Sequence, residues 1–169
     1  MIDEEEPVCS FCESGVKNDD DFCPNCGSIF ADNVKCSKHQ DADAAGICVI
    51  CCEGYCNECG FALYGRVFLC SAHSELDIFE GMARVYGNND FTQIALVKSS
   101  LEGEGLHPFI FSRKANPLHF PTSDYSVFRP SGKFDGNMID EIKVMVPFQE
   151  VIEAEKIVSD LKSADENIL

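Results

Sequence analysis

The distribution of cysteine is the feature that most constrains what this chain can fold into. All eleven cysteines lie between Cys9 and Cys70, and the rest of the 169-residue sequence contains none. A segment of this length cannot bury enough apolar surface to offset its chain entropy, so cross-links have to stabilise it. We therefore expect small cross-linked modules, followed by a separate domain of ordinary composition.

The beginning of the sequence bears on whether these cross-links are disulfides or metal ions. Met1 is followed by the acidic stretch IDEEE instead of the basic and then apolar residues of a secretory signal, and no apolar stretch approaches the length of a membrane span. We expect a cytoplasmic protein, and in that reducing compartment paired cysteines more often hold metal. A disulfide framework stays open only if the protein reaches an oxidising compartment.

The first predicted module, residues 1–32, contains two C-x2-C pairs, CSFC and CPNCG. Each pair places two sulfurs on one tight turn, so two pairs supply the four ligands of a closed tetrahedral zinc site. The predicted ligands are Cys9, Cys12, Cys23 and Cys26. The segment resembles short bacterial zinc ribbons, which implies a structural metal without activity of its own. A rubredoxin-like iron site, which uses the same four sulfurs, is the alternative.

The second predicted module, residues 33–75, contains four more pairs of the form C-x2-C or C-x2-H. Eight ligands make two tetrahedral sites. Only four residues separate the second pair from the third, which favours an interleaved arrangement in which loss of either metal loosens both sites. The first predicted site is Cys36, His39, Cys56 and Cys59, and the second is Cys48, Cys51, Cys70 and His73. The chain is therefore expected to bind three zinc ions.

This second series of ligands resembles a B-box-type zinc finger in its compact bacterial form. It departs from the common animal pattern, which has histidine at both of the last two ligand positions, because Cys70 precedes His73 here. The resemblance implies contact with protein partners, or self-association into a homo-oligomer, and no catalysis. Cys52 is left over, and we interpret it as a small filler residue, with a redox switch as the alternative.

Residues 76–169 carry the strand and helix signals of an α+β domain. A short apolar strand, MARVY, precedes a helical pattern that Asn89 or Asp90 can cap and that Gly103 or Gly105 can end. HPFIF predicts a second strand, and IKVMVP predicts a third that precedes a second amphipathic helix. A right-handed crossover that pairs the first two strands gives an open sheet with both helices on one face, the ferredoxin-like arrangement.

Two stretches of this domain also carry a resemblance, ARVYGNNDFTQIALVKSSLEGEGLHPFIF and IKVMVPFQEVIEAEKIVSDL. They resemble a small family of prokaryotic domains described as signal-transducing proteins and likened to PII-type regulators. The resemblance implies a regulatory role and supplies no ligand or catalytic residue that could be carried over.

The charge of the chain restricts its partners. The formal net charge is −16, and thiolate ligation of zinc makes the protein more acidic still. Phosphate polymers are repelled by such a protein, so we expect no nucleic-acid partner, and no membrane partner is expected either. A local basic patch could accept a phosphate-bearing small molecule or an acidic peptide, although a solvated loop is its ordinary interpretation. Its cations are Arg113, Lys114, Arg129 and Lys133.

No catalytic group emerges from the sequence. We interpret His107 and His119 as strand or loop residues and not as ligands, and no phosphate-binding loop is visible. We therefore expect a cytoplasmic zinc-binding adaptor or regulatory protein that acts through protein contacts. The alternatives are a sensor of a small anionic metabolite or nucleotide, built on the last domain, and a thiol- or zinc-based redox sensor.

Overall fold

The computed structural model describes residues 7–112 and 141–166. The chain forms two compact units, one of Met1–Ala83 with Pro147–Ile152, the other of Arg84–Val146 with Glu153–Leu169. Both expected zinc modules lie in the first unit. The expected boundary between residues 75 and 76 precedes this division, because the first strand after it still pairs within the first unit.

The first unit begins with loops that close around pairs of cysteines. Isolated antiparallel bridges join Val8 to Gly15 and Phe22 to Ile29, and each bridge encloses one C-x2-C pair. A third bridge, farther along, encloses the first C-x2-H pair in the same way. The chain therefore turns back on itself around each of the first three ligand pairs.

Short strands separate the remaining ligand pairs. They are β1 (Gly46–Ile47), β2 (Gly54–Tyr55), β3 (Gly60–Leu63) and β4 (Val67–Cys70), followed by a single 3-10 turn, Ser71–His73, and by β5 (Ile78–Phe79). β1 pairs with β2, and β3 pairs with β4, both antiparallel. β5 pairs antiparallel with the beginning of β6 (Met82–Asn88). Two-residue strands are marginal on their own, so other interactions must hold these hairpins.

The two expected zinc modules are joined by backbone hydrogen bonds. The amide of Ile47 donates to the carbonyl oxygen of Gly27 at 2.9 Å, and the amide of Phe68 donates to the carbonyl oxygen of Cys26 at 2.9 Å. Gly27 has φ = +81°, and a Cβ at this position would overlap the carbonyl oxygen of Ile47. Residues 7–32 therefore pack directly against residues 33–75 within the first unit.

The second unit contains the strand and helix elements that the sequence predicts. α1 (Phe91–Gly103) is followed by β7 (Phe109–Phe111), and β8 (Ile142–Pro147) leads through a 3-10 turn, Phe148–Glu150, into α2 (Val151–Glu166). Asp90 is the N-cap of α1, because its side chain accepts a hydrogen bond from the amide of Thr92 at 2.8 Å. The helix ends at Gly103, and Gly105 follows with φ = +84°.

The order of strands differs from the expected one. The strands lie in the order β5, β6, β8, β7, so β8 separates the two strands that the sequence reasoning pairs directly. Val144, Met145 and Val146 of β8 are all buried, as expected for an inner strand that is covered on both faces. β7 pairs antiparallel with β8 and lies at the edge. The burial of three consecutive residues shows that this strand does not alternate between a buried and an exposed face.

Apolar side chains form the core of the second unit. On α1 the buried residues recur at helical spacing, and on α2 Ala154 and Val158 lie on the face that the sequence predicts, with Leu161 only half-buried. The buried residues of this unit are Ile94, Val97, Leu101, Leu106, Val144, Met145, Val146, Ala154 and Val158. This core contains no metal ligand among the described residues, so the second unit is held together by ordinary packing.

An ion pair joins β6 to Glu141, the residue directly before β8, in the second unit. The guanidinium of Arg84 contacts Oε1 of Glu141, whose side chain is only 9% exposed. Oε2 of Glu141 is buried and has no hydrogen-bond partner among the described residues. A Cβ at Gly87 would overlap Oε1 of Glu141, so the glycine provides the space in which the pair forms.

We predict that Gly87→Ala destabilises the second unit by about 1–3 kcal/mol, because the added methyl group displaces a buried carboxylate from its cation. Gly103→Ala is the matched control, since a Cβ there meets no atom within 4 Å. Urea unfolding followed by helical circular dichroism measures both, because α1 and α2 supply that signal. Equal midpoints for the two variants and the parent protein would contradict the role given to Gly87.

Candidate metal centres

The structure brings the twelve predicted ligands together in three groups of four. In each group the ligand atoms all lie within 4.8 Å of one another. The groups are Cys9, Cys12, Cys23, Cys26; Cys36, His39, Cys56, Cys59; and Cys48, Cys51, Cys70, His73. The last two groups have the interleaved arrangement that the short spacing between the middle pairs favours. Each group could hold a metal ion.

The first group is formed by two turns of the same local geometry. The amide of Glu13 donates to the carbonyl oxygen of Cys9 at 2.9 Å, and the amide of Gly27 donates to that of Cys23 at 2.8 Å. Both donors have left-handed backbone, with φ = +61° and φ = +81°. This closure directs the two sulfurs of each pair to the same side of the turn.

The distances between sulfurs in this group fit a tetrahedral metal. Sγ of Cys9 lies 3.7 Å from Sγ of Cys26, and Sγ of Cys12 lies 3.5 Å from Sγ of Cys23. Zinc–sulfur bonds of about 2.3 Å at tetrahedral angles place two sulfurs about 3.8 Å apart. The four thiols are therefore already close to the separation that a bound zinc ion requires.

Both histidines present the same ring nitrogen to their groups. Nδ1 of His39 lies 3.4 Å from Sγ of Cys56 and 3.5 Å from Sγ of Cys59. Nδ1 of His73 lies 3.4 Å from Sγ of Cys48 and 3.2 Å from Sγ of Cys70. A nitrogen and a sulfur on one tetrahedral zinc are about 3.6 Å apart, so these groups also have nearly the required geometry.

The chain alternates between the two mixed groups as it proceeds. The pair that ends at Cys51 belongs to one group, β2 follows, and the pair that begins at Cys56 belongs to the other. β2 is also hydrogen-bonded to β1, which lies directly before Cys48. A displacement of one group therefore moves a strand that positions ligands of the other.

The acidity of the thiols shows why a cation suits these groups. Burial raises the pKa of Cys23 and of Cys51 to about 12. Burial also opposes ionisation of Cys12, but hydrogen bonds with Ser14 and Asn25 outweigh it and lower its pKa to about 6. Several thiolates this close together need a positive ion between them, and a coordinating thiol is deprotonated outright. Metal binding therefore releases protons and weakens as the pH falls.

Tyr55 contacts a ligand of the third group and was not among the predicted site residues. Its hydroxyl lies 3.7 Å from Sγ of Cys51 and donates to Oε2 of Glu53 at 2.8 Å. Hydrogen-bond partners of this kind orient metal ligands and tune their basicity. The sequence carries one signal for this role, because Tyr55 lies four residues after Cys51, but a buried tyrosine beside a strand gives the same pattern.

Cys52 belongs to none of the three groups. Its amide donates to the carbonyl oxygen of Cys48 at 2.8 Å and its φ is +57°, so it occupies the place that Glu13 and Gly27 hold in their turns. The residue is exposed, and partial desolvation of the sulfur together with the nearby Cys48 raises its pKa. A raised pKa reduces the thiolate fraction on which thiol reactivity depends.

Other predicted positions fall outside these centres. The cations Arg113, Lys114, Arg129 and Lys133 lie outside the described residues, as does His119. Within the part of the chain that the structure describes, no helix combines the length and apolar composition that crossing a bilayer needs. Comparisons of the chain with protein-family models, with curated proteins and with solved structures give no match. The metal-binding interpretation therefore depends on the geometry alone.

We predict three zinc ions per chain, one for each group of ligands. Cys70→Ser should carry at least one zinc fewer and should release the zinc of the neighbouring group faster to EDTA, because β1 and β2 connect the two. Cys52→Ser is the matched control and should keep the full metal content. Elemental analysis of the natively purified parent protein and of both variants measures the zinc content, and repeating it during EDTA treatment measures the rate of release. A metal-free parent protein with its cysteines oxidised would show that disulfides form the cross-links.

We also predict that Gly27→Ala separates residues 7–32 from residues 33–75, because the new methyl group overlaps the carbonyl oxygen of Ile47. Zinc should then leave the first group faster, and protease should cut between the two segments. Gly65→Ala is the control, since Gly65 has φ = +64° but a Cβ there meets no atom within 4 Å. If both variants behave alike, left-handed strain is the cause and close packing is not.

Proposed function

We propose that this chain is a zinc-binding adaptor or regulatory protein that acts through contacts with other proteins. The observation that carries the proposal is that each group offers four protein ligands. A closed four-ligand site stabilises structure, whereas catalytic zinc sites keep a position open for water or substrate. When bound, zinc supplies folding energy here, and the residues around it supply the surface.

The surface of the first unit supports a binding role. Its exposed large apolar side chains are Val8, Phe11, Phe30, Phe61, Tyr64, Phe79 and Ile152. Aromatic residues are enriched where proteins bind one another, and they are costly to leave in water. A small unit with several such side chains on its surface is suited to contact a partner.

Finer assignments belong to the same proposal. We propose that the first group is a zinc ribbon, that the interleaved groups form a B-box-like module, and that the second unit has a ferredoxin-like, PII-type regulatory fold. The strand order supports the last assignment, because β8 lies between β6 and β7 and helices follow β6 and β8. The thiol-rich ligand sets favour zinc among the divalent metals.

The proposal is tested by capturing partners with the tagged, zinc-loaded full chain. We expect the parent protein and Cys52→Ser to retain the same specific protein, because both keep the three groups intact. Cys70→Ser and EDTA-treated protein should lose it, since the binding surface depends on the metal-stabilised fold. Failure of the zinc-loaded chain to retain any specific protein would refute the adaptor function.

A further inference from the structure

The first unit contains an open groove with a volume of about 970 Å³. Separate parts of the unit line it: residues 11–13 of the first ligand turn, residues 63–64 and 66–67 around the turn between β3 and β4, and residues 78–81 of the β5–β6 hairpin, together with Asn25. Phe148, which is buried, lines it as well. The groove therefore exists only when the first ligand turn, the β3–β4 hairpin and the β5–β6 hairpin are folded together.

Three aromatic side chains line the groove and remain open to solvent. Phe11 is 60% exposed, Tyr64 is 88% exposed and Phe79 is 52% exposed. Aromatic rings contribute a large contact area at low entropic cost, and they are the commonest anchors of protein interfaces. An occupant of this groove therefore has apolar side chains to place against them.

Three residues around the groove adopt backbone conformations that disfavour their own side chains. Glu13, Tyr64 and Glu80 have φ of +61°, +51° and +45°. Glycine or asparagine would cost less at such positions, and Glu80 lies in a two-residue hairpin turn where those residues are the usual choice. All three side chains therefore stand on tight turns that border the groove, whereas the other two non-glycine residues with positive φ among the described residues, Asn33 and Cys52, lie outside its lining.

The charges around the groove specify the chemistry of the occupant. Glu13 and Glu80 offer carboxylates, which accept hydrogen bonds and do not donate them, and Arg66 is the single cation among the lining residues. The amide nitrogen of Asn25 is already used, because it donates to Oγ of Ser14 at 2.8 Å. Residues 7–83 contain twelve acidic residues against four basic ones. The occupant must therefore carry donors and positive charge.

We propose that this groove binds an extended segment of a partner protein in which lysine or arginine residues alternate with aromatic or large apolar residues. This inference rests on the proposed adaptor function and identifies the surface that performs it. A second copy of the chain is disfavoured as the occupant, because it would bring the same acidic surface against this one. Because Phe11 and Glu13 belong to the first ligand turn, binding requires the metal-stabilised fold.

The test uses a short fluorescein-labelled peptide of alternating lysine and phenylalanine, and a matched peptide with glutamate in place of lysine. Fluorescence anisotropy with the zinc-loaded full chain measures binding of both. We expect the lysine peptide to bind at least about tenfold more tightly than the glutamate peptide, and less tightly as salt is added. Treatment with EDTA should abolish its binding.

Two variants of the groove and two controls locate the binding site. Tyr64→Asn removes a ring while suiting the left-handed turn, and should weaken binding about tenfold. Glu80→Gln should weaken it by a smaller factor, about threefold to fivefold, because one carboxylate is lost. Phe30→Ala and Glu75→Gln alter an exposed aromatic and an exposed acid outside the groove, and should bind like the parent. Zinc content and circular dichroism confirm that all four variants fold.

Each of the following results would overturn the proposal. Equal binding of the two peptides, or no binding of either, would show that the groove does not select basic segments. Unchanged binding by a folded Tyr64→Asn variant would place the site elsewhere. Self-association of the parent that Tyr64→Asn abolishes would make a second copy the occupant. A captured partner protein that still binds Tyr64→Asn would leave the adaptor function standing and reject only the groove.

Discussion

The convergence of four sulfur or nitrogen ligands in each of three groups is the constraint on which the first unit depends. Its strands have two to four residues, and its buried apolar side chains are few, among them Ile47, Val49, Phe68 and Leu69. A structural zinc site contributes an apparent ~10–16 kcal/mol, which is comparable to the entire stability of an ordinary domain. Without a cation the same groups crowd buried thiols together, so the metal both removes a cost and supplies the cross-link.

In three of the turns formed by pairs of cysteines, the backbone conformation is the same but the residue at one position differs. Glu13, Gly27 and Cys52 occupy the same left-handed position in three turns, and each donates its amide to the carbonyl oxygen of the first cysteine. A left-handed conformation costs a non-glycine residue roughly 1–2 kcal/mol, which is small beside the energy of metal ligation. The residue type at this position can therefore vary with its surroundings. Gly27 allows close packing against Ile47, and Glu13 adds a carboxylate to the lining of the groove.

Local geometry could be predicted from the sequence, and long-range packing could not. The C-x2-C and C-x2-H spacings fix two ligands on one turn, and four residues between Cys51 and Cys56 restrict how the pairs combine, so the groups follow from spacing. The packing of Gly27 against Ile47 joins residues far apart in sequence, and no spacing rule reports it. The strand order was only partly accessible: the consecutive apolar run VMV at 144–146 indicates an inner strand, but it does not say which neighbours that strand has.

The short segment Pro147–Ile152 belongs to the first unit although it begins at the last residue of β8. In this unit the amide of Phe148 donates a hydrogen bond to the carbonyl oxygen of Gly81. The side chain of Gln149 donates a hydrogen bond to the carbonyl oxygen of Pro24, between the two cysteines of the second C-x2-C pair. The segment also forms the covalent link from β8 to α2. Unfolding of the first unit would remove these hydrogen-bond partners from the segment. A segment far from the ligands in sequence therefore packs with the candidate metal groups in one unit, which the local spacing of the ligands could not predict.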